Sequence, residues 1–186
     1  MVSVPSGLAW DLVRLETAGL TDLELIGIDL DAESLKLAER LSSQNKSTNA
    51  TFTFSKSDAW KLSESGVGEV DVITSNGLNI YVQDRKRVVE LYKSYASVLK
   101  TGGLLITSYM TPPPGIAIEL EWNMSVINPE AMLAGKTVFA DILDATWQAY
   151  MSTGDMKRVL TEAGFEDFEV HYDQAKMFPT ITARKK

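Results

Sequence analysis

The chain has 186 residues, of which 45% are hydrophobic and 23% charged, proportions that suit one globular domain with a single core. It contains no cysteine and one histidine, His171, which excludes disulfides, thiol nucleophiles and zinc sites built from cysteines or several histidines. The net charge of −7 argues against a nucleic-acid backbone as the main partner. Because no apolar run of membrane-spanning length and no leader-like pattern opens the chain, we expect a cytoplasmic protein without membrane contact.

Strand-like and helix-like patterns alternate along the chain. The helical patterns space apolar residues three or four positions apart, and the strand patterns are short apolar or alternating runs. In chain order, the predicted elements are a strand at 2–4, a helix at 8–19, a strand at 23–29, a helix that Asp31 caps, strands at 51–55 and 70–75, a helix at 85–103, a strand at 103–110, a helix at 155–164, and strands at 165–172 and 179–185.

This alternation predicts the fold class. Strands that alternate with helices run parallel and are joined by right-handed crossovers. The last two strand patterns are separated only by residues 173–178, too few for a crossover, so the last strand should be antiparallel. The sequence therefore predicts an α/β fold with a doubly wound, mostly parallel seven-strand sheet, an antiparallel last strand and helices on both faces.

One segment, residues 111–154, interrupts the alternation. It opens with TPPPG, contains Trp122 and Trp147, and includes a pattern at 139–151 that is typical of an amphipathic helix. An insertion of this length in a compact domain is more often a lid or a substrate platform than an idle loop. We therefore expect residues 1–186 to form one domain in which residues 111–154 are an inserted lid or substrate segment.

An apolar run that ends on two acids, Asp29 and Asp31, is the first candidate for a functional site. In a doubly wound sheet, ligands bind outside the carboxyl ends of the strands, where a carboxylate can accept both hydroxyls of a ribose. Asp29 is placed for that role and Asp31 for a helix cap. On this stretch alone, the alternative that both acids only cap the helix is equally good.

The motifs around this run resemble those of the Rossmann-like S-adenosylmethionine-dependent methyltransferases. IGIDLDAESLKLAERL is similar to the family's second motif, whose acid, here Asp29 followed by Leu30, binds the ribose. SKSDAWKL is similar to the motif in which Asp58 and Ala59 would meet the adenine. LKTGGLLITS and LTEAGFEDFEV are similar to the family's turn into the fifth strand and to its last helix with the sixth strand.

The fourth-strand motif of the family resembles VDVITSNGLNIY in this chain. The resemblance implies that Asn76, Gly77 and Leu78 lie beside the methionine moiety and the transferable methyl group. Asn-Gly is also a common turn dipeptide, but here it follows a strand and no hairpin partner comes after it. Taken together, the five motifs occur in the family's order and cover nearly all of the chain outside the insertion.

The chain departs from the family at its first motif, which is normally a glycine-rich loop. The matching stretch is SVPSGLAWDL, so the cofactor contacts would come from Pro5, Ser6 and Gly7, with amide donors at Ser6, Gly7 and Leu8. The first strand also begins at the second residue, whereas typical members carry a preceding segment. We therefore expect the chain to lack an upstream N-terminal segment.

The resemblance implies S-adenosylmethionine as cofactor. The excess of acidic residues and the aromatic insertion favour a small-molecule methyl acceptor over nucleic acid. No metal is expected, because no acidic pair follows the fifth strand, where the sequence is SYMTPPP. Methyl transfer needs mainly alignment of nucleophile and methyl group, so no catalytic residue is assigned; Asn79, Tyr81 and His171 are the candidate helpers. Two alternatives are a catalytically silent methyltransferase-like binding module and a nicotinamide-dependent oxidoreductase, which would need a G-x-G-x-x-G loop that PSGLAW lacks. The oligomeric state is left open.

Overall fold

A computed structural model describes residues 1–16, 19–44, 49–116, 121–142, 144 and 149–186. Within these residues, seven strands form one mixed sheet in the order β3-β2-β1-β4-β5-β7-β6. The strands are β1 (Val2–Ser3), β2 (Leu23–Asp29), β3 (Ala50–Lys56), β4 (Val70–Ser75), β5 (Leu99–Ser108), β6 (Phe165–His171) and β7 (Thr180–Lys185).

The strand directions follow the predicted pattern. Strand β1 pairs in parallel with β2 and β4, β2 with β3, and β4 with β5. Strand β7 lies between β5 and β6 and runs antiparallel to both. The predicted fold, a mostly parallel seven-strand sheet with an antiparallel last strand, is confirmed.

Helices pack on both faces of this sheet. The helices of the described residues are α1 (Trp10–Val13), α2 (Ala32–Ser42), α3 (Arg85–Val98), α4 (Pro129–Lys136) and α5 (Thr153–Glu162), with 3-10 turns at Ala59–Glu64, Leu78–Tyr81 and Met124–Val126. Helices α1 and α2 pack on β2, whereas α3 and α5 pack on each other and on β5 and β6 respectively. Successive side chains of β2 point to opposite faces of the sheet. Leu25 joins the smaller core cluster with α1 and α2, whereas Ile26 and Ile28 join the larger one. None of the helices in the described residues is both long and apolar enough to span a membrane.

The first predicted helix is much shorter than its pattern indicated. The prediction was wrong at its start, because Ala9 adopts a left-handed conformation with φ 53° and α1 is a single turn, Trp10–Val13. Leu12 is buried as predicted, but Leu8 lies outside the helix. Leu8 instead lines a cavity at the edge of the sheet.

The third helix also ends earlier than predicted. It stops at Val98, and β5 begins at the next residue instead of after Gly102 and Gly103. The pairing of β4 with β5 jumps from Leu99 to Leu104, so the residues between them form a bulge. Gly103 is required there, because a Cβ atom would come within 2.8 Å of the Lys100 carbonyl oxygen.

In the inserted segment, a helix that was not predicted precedes the predicted range 139–151. Helix α4 (Pro129–Lys136) begins at Pro129 with Asn128 as its N-cap, and a π-helical turn follows at Thr137–Ile142. The signal for this start was in the sequence, in the Asn-Pro pair. Trp147 and part of the predicted helix lie outside the described residues.

Candidate functional site

Two adjoining cavities lie at the carboxyl edge of the parallel strands. The larger has a volume of about 340 Å³ and the smaller about 150 Å³, and Pro5 and Asp29 line both. All of the predicted cofactor residues except Gly77 line one or the other. Ser6, Gly7 and Asn76 line the larger cavity, and Leu30, Asp58, Ala59 and Leu78 line the smaller one.

Asp29 is the last residue of β2 and stands where the two cavities meet. Its Oδ2 atom accepts a hydrogen bond from the Gly7 amide at 2.8 Å, and its Oδ1 atom accepts one from the Asp31 amide at 2.9 Å. A carboxylate oxygen has two lone-pair sites, so each oxygen can accept one more hydrogen bond. The carboxylate is therefore held in one orientation and still has the capacity to receive a diol.

Asp31 has the separate role of a helix cap. Its side chain accepts hydrogen bonds from the Glu33 amide at 3.0 Å and the Ser34 amide at 3.3 Å, at the start of α2. The Ser34 hydroxyl also donates to it at 2.6 Å, and this bond is the main reason that the pKa of Asp31 is lowered. Asp29 therefore lies at the cavities, whereas Asp31 caps helix α2.

The loop after β1 presents fewer free amides than expected. The Ser6 amide donates to the Ile28 carbonyl oxygen at 2.8 Å, and the Gly7 amide donates to Asp29. The expectation that the amides of Ser6, Gly7 and Leu8 contact the cofactor is therefore wrong for Ser6 and Gly7, whose amides tie the loop to β2. For Leu8 it stays a prediction. The Ser6 hydroxyl oxygen is buried and has no hydrogen-bond partner among the described residues.

The smaller cavity is mostly apolar, and its floor includes a residue that the sequence reasoning missed, Trp60. The Trp60 indole donates to the Arg87 carbonyl oxygen at 2.9 Å, and the Arg87 guanidinium lies 5.1 Å from the ring centroid. The Asp58 carboxylate accepts a hydrogen bond from the Trp60 backbone amide at 2.9 Å, and it thereby caps the 3-10 turn that contains Trp60. The cavity therefore combines apolar walls, a fixed indole and the carboxylate of Asp58 in addition to that of Asp29, a lining that suits a flat heteroaromatic ring with an amino group.

The larger cavity also contains two residues that the sequence reasoning missed, Trp10 and Asp11. Both follow Ala9, whose left-handed conformation turns the chain so that the start of α1 faces the cavity. The sequence signal for this turn is weak, because alanine seldom adopts positive φ. On the far side of the cavity, Asn76 accepts a hydrogen bond from the Ser108 hydroxyl at 2.7 Å, which joins the ends of β4 and β5.

Gly77 and the three candidate helpers line neither cavity. Gly77 has φ 74° and provides the left-handed turn after β4. Asn79 is 2% exposed and its Oδ1 atom has no partner among the described residues, whereas Tyr81 is exposed. His171 is exposed on β6 with Glu169 3.6 Å away, as expected for a surface histidine.

The inserted segment is attached to the same edge of the sheet. The Trp122 indole donates to the Thr111 hydroxyl at 2.9 Å, and the Glu121 carboxylate accepts the Thr153 amide at 3.0 Å. The backbone amide of Asn123 donates a hydrogen bond to the Ala175 carbonyl oxygen at 2.9 Å. Trp122 is thus a docking residue near the carboxyl end of β5, and it lines neither cavity.

Comparisons with known proteins agree with this geometry. A family model described as a methyltransferase domain matches residues 6–164. No curated protein matches the chain. Among solved structures, a possible exported protein from Bordetella parapertussis is 38% identical with a TM-score of 0.88, and the match covers 99% of this chain and 60% of that one. The chain therefore spans only part of the length of that protein.

More distant structures share the fold. The magnesium protoporphyrin IX methyltransferase of Synechocystis PCC 6803, solved with bound SAH, is 14% identical with a TM-score of 0.66, over 100% of this chain and 73% of that one. Human N-acetylserotonin methyltransferase, in complex with SAM, is 17% identical with a TM-score of 0.64, over 100% of this chain and 47% of that one. Together with the family match over most of its length, the sheet order and the placement of Asp29 show that the chain belongs to the Rossmann-like S-adenosylmethionine-dependent methyltransferases.

Proposed function

We propose that this chain transfers the methyl group of S-adenosylmethionine to a small organic acceptor. The observation that carries the proposal is the position of the Asp29 carboxylate between the smaller, mostly apolar cavity and the larger one, which Asp11 and Asn76 also line. A ribose is the part of the cofactor that joins a flat base to an amino-acid chain, and a carboxylate is the group that binds its two hydroxyls. The buried Ser6 hydroxyl, which has no hydrogen-bond partner in the described part of the chain, belongs to the lining of the larger cavity and is a further group that a bound cofactor would satisfy.

Each end of the cofactor has a matching set of residues. The adenine would lie in the smaller cavity against Trp60, Leu78 and Ala59, with its amino group near Asp58. The amino-acid end would lie in the larger cavity. When bound, the cofactor supplies an electrophilic methyl group. The residues of the chain contribute binding and orientation, which can provide up to roughly 7–11 kcal/mol in ideal intramolecular reactions.

A small acceptor is favoured by charge and by the inserted segment. Acidic residues outnumber basic ones by 25 to 18, which is unfavourable for tracking a phosphate backbone. The segment at 111–154 docks beside the ends of β5 and β6 through Trp122 and Asn123, where a lid or substrate platform would act. Two of the structural neighbours are named for small acceptors, magnesium protoporphyrin IX and N-acetylserotonin. A cytoplasmic location stays a prediction, and the relative from Bordetella parapertussis is described as a possible exported protein.

Isothermal titration with S-adenosylmethionine, S-adenosylhomocysteine and NAD tests the cofactor. Micromolar binding of the first two and none of NAD is expected. Binding of none of them would favour a silent binding module, and binding of NAD alone would favour the oxidoreductase.

The acceptor class is tested by incubating the protein with methyl-labelled cofactor and a cell extract. The label should appear in the low-molecular-mass fraction. Label found only in RNA, DNA or protein would contradict a small acceptor, and an extract incubated without the protein is the control.

A further inference from the structure

The larger cavity contains a carboxylate that the cofactor motifs do not account for, that of Asp11. It lies on the first turn of α1 and is held by the Thr74 hydroxyl, which donates to Asp11 Oδ2 at 2.6 Å. Thr74 belongs to β4 and pairs with Ser3 of β1, so the carboxylate is fixed above the two central strands. No hydrogen bond from the described residues reaches its Oδ1 atom. The side chain is therefore oriented by the sheet and keeps an oxygen for another partner.

The charge of the cavity lining is negative. Asp11 and Asp29 both line it, and no lysine, arginine or histidine is among the described residues that do. Arg14, one helical turn after Asp11, lies over the Trp10 indole with its guanidinium carbon 4.4 Å from the ring centroid. Within the described part of the chain it makes no ion pair with Asp11. A cationic group is what such a lining would bind.

The direction of the ligand follows from the two cavities. If the base occupies the smaller cavity and the ribose lies on Asp29, the 5′ substituent of the ribose has to enter the larger cavity, because Asp29 and Pro5 line both. That substituent is the amino-acid chain, which carries an α-ammonium group. Ser6 of the same lining is 9% exposed, and within the described ranges its hydroxyl has no hydrogen-bond partner, an independent sign that a ligand completes the lining.

We infer that Asp11 binds the α-ammonium group of the cofactor, and that it provides at this end what a glycine-rich first loop does not provide here. This inference rests on the proposed function. The loop amides of Ser6 and Gly7 are already bonded to Ile28 and Asp29, so the main anchor for the amino-acid end is a side chain from the helix that follows. Asp11 is thus a cofactor-binding residue, and Thr74 positions it.

The test is a cycle of two ligands and two proteins, measured by isothermal titration. The ligands are S-adenosylhomocysteine and its analogue with hydrogen in place of the α-amino group; the proteins are the wild type and Asp11→Asn. The wild type should bind the deamino analogue about ten-fold more weakly than S-adenosylhomocysteine, the lower end for a charged hydrogen bond because Asp11 is exposed. Asp11→Asn should bind the two ligands with equal affinity.

Two further variants control the cycle. Asp71→Asn is the matched control, because Asp71 is exposed and paired with Lys100 at 2.7 Å, at the opposite end of β4 from Thr74. It should bind like the wild type. Thr74→Val should lose part of the preference for the amino group, since it removes the bond that orients Asp11.

Each outcome decides between the two proposals. If the wild type binds neither ligand, the proposed function fails. If the wild type binds both ligands equally, or if Asp11→Asn weakens both by the same factor or neither, only the role of Asp11 is overturned. Should Asp11→Asn fail to fold, the wild-type comparison and Thr74→Val still decide.

Discussion

The Asp29 carboxylate accepts the amide proton of Gly7, with 2.8 Å between Oδ2 and the nitrogen, and thereby fastens the loop after β1 to the end of β2. The same carboxylate is the proposed ribose ligand. Because one group serves both purposes, the loop that borders both cavities is already in place before the cofactor arrives. Such preorganisation reduces the ordering cost of binding.

The first prediction concerns Asp29→Ala. It should lose roughly 2–3 kcal/mol of cofactor affinity, since a charged hydrogen-bond partner is removed. Its melting temperature should fall as well, because the Gly7 and Asp31 amides lose their acceptor. Titration calorimetry and thermal unfolding measure the two effects.

Asp31→Ala is the matched control for this change. It removes the cap of α2 and should cost roughly 1 kcal/mol of stability, with cofactor affinity unchanged. Full cofactor affinity in Asp29→Ala would return Asp29 to a purely structural role.

Trp60 should report on the smaller cavity. Trp60→Phe removes the hydrogen bond to the Arg87 carbonyl oxygen and should lower the free energy of unfolding by roughly 1 kcal/mol. It should also reduce the change in tryptophan fluorescence that S-adenosylhomocysteine produces. Trp122→Phe, whose indole docks on Thr111 outside both cavities, should keep that change. An undiminished signal in Trp60→Phe would place the adenine elsewhere.

Gly27, two residues before Asp29, has no room for a side chain. A Cβ atom there would lie 2.6 Å and 2.8 Å from two ring carbons of Phe54. Gly27→Ala should therefore destabilise the fold by roughly 1–3 kcal/mol, as overpacking does. Gly135→Ala in α4 meets nothing within 4 Å and should stabilise by roughly 0.5–1 kcal/mol. Urea unfolding of the two variants would show opposite shifts; equal shifts would refute the steric argument.

Tyr109 should make the fold sensitive to alkaline pH. Burial raises its pKa from the ordinary value of 10.0 to about 12, although its bond to Thr153 opposes the shift. Between these values the unfolded tyrosine loses its proton while the folded one keeps it, so the free energy of unfolding falls as pH rises. The contribution is complete below pH 10.

Tyr109→Phe should show a shallower loss of stability across that interval, measured by urea unfolding at several pH values. Thr153→Val removes the same hydrogen bond without removing the ionisable group, and its slope should persist. Parallel slopes for Tyr109→Phe and the wild type would refute the assignment.

The sequence reveals the sheet and the strand-end acids for a simple physical reason. An apolar run followed by an acid is a local pattern, and the parallel topology brings all such ends to one edge, so Asp29 and Asp58 could be placed without coordinates. Trp10, Asp11 and Trp60 could not be placed, because their directions depend on the path of a loop. The left-handed Ala9 and the short turn after Asp58 determine that path.

The sequence also predicts the ends of helices poorly. Helix α3 ends at Val98 because the chain enters β5 directly and forms a bulge opposite β4. The bulge depends on strand pairing, so the glycines at 102 and 103 do not by themselves predict where the helix ends. In the insertion, the Asn128-Pro129 pair is a sequence signal for the start of a helix, but the apolar spacing after it favours a helix further along the chain.

The inserted segment is secured at two points. The Asn123 amide is bonded to the Ala175 carbonyl oxygen and the Ala149 amide to the Ile80 carbonyl oxygen, at 2.9 Å and 3.2 Å. The described residues between these anchors, 124–142 and 144, lie outside the strands of the sheet. We therefore expect that the chain between the anchors can be exchanged as one cassette while Asp29 and both cavities stay as they are. If the proposed function holds, chimaeras that keep the cofactor site and differ only in this cassette should differ in acceptor preference.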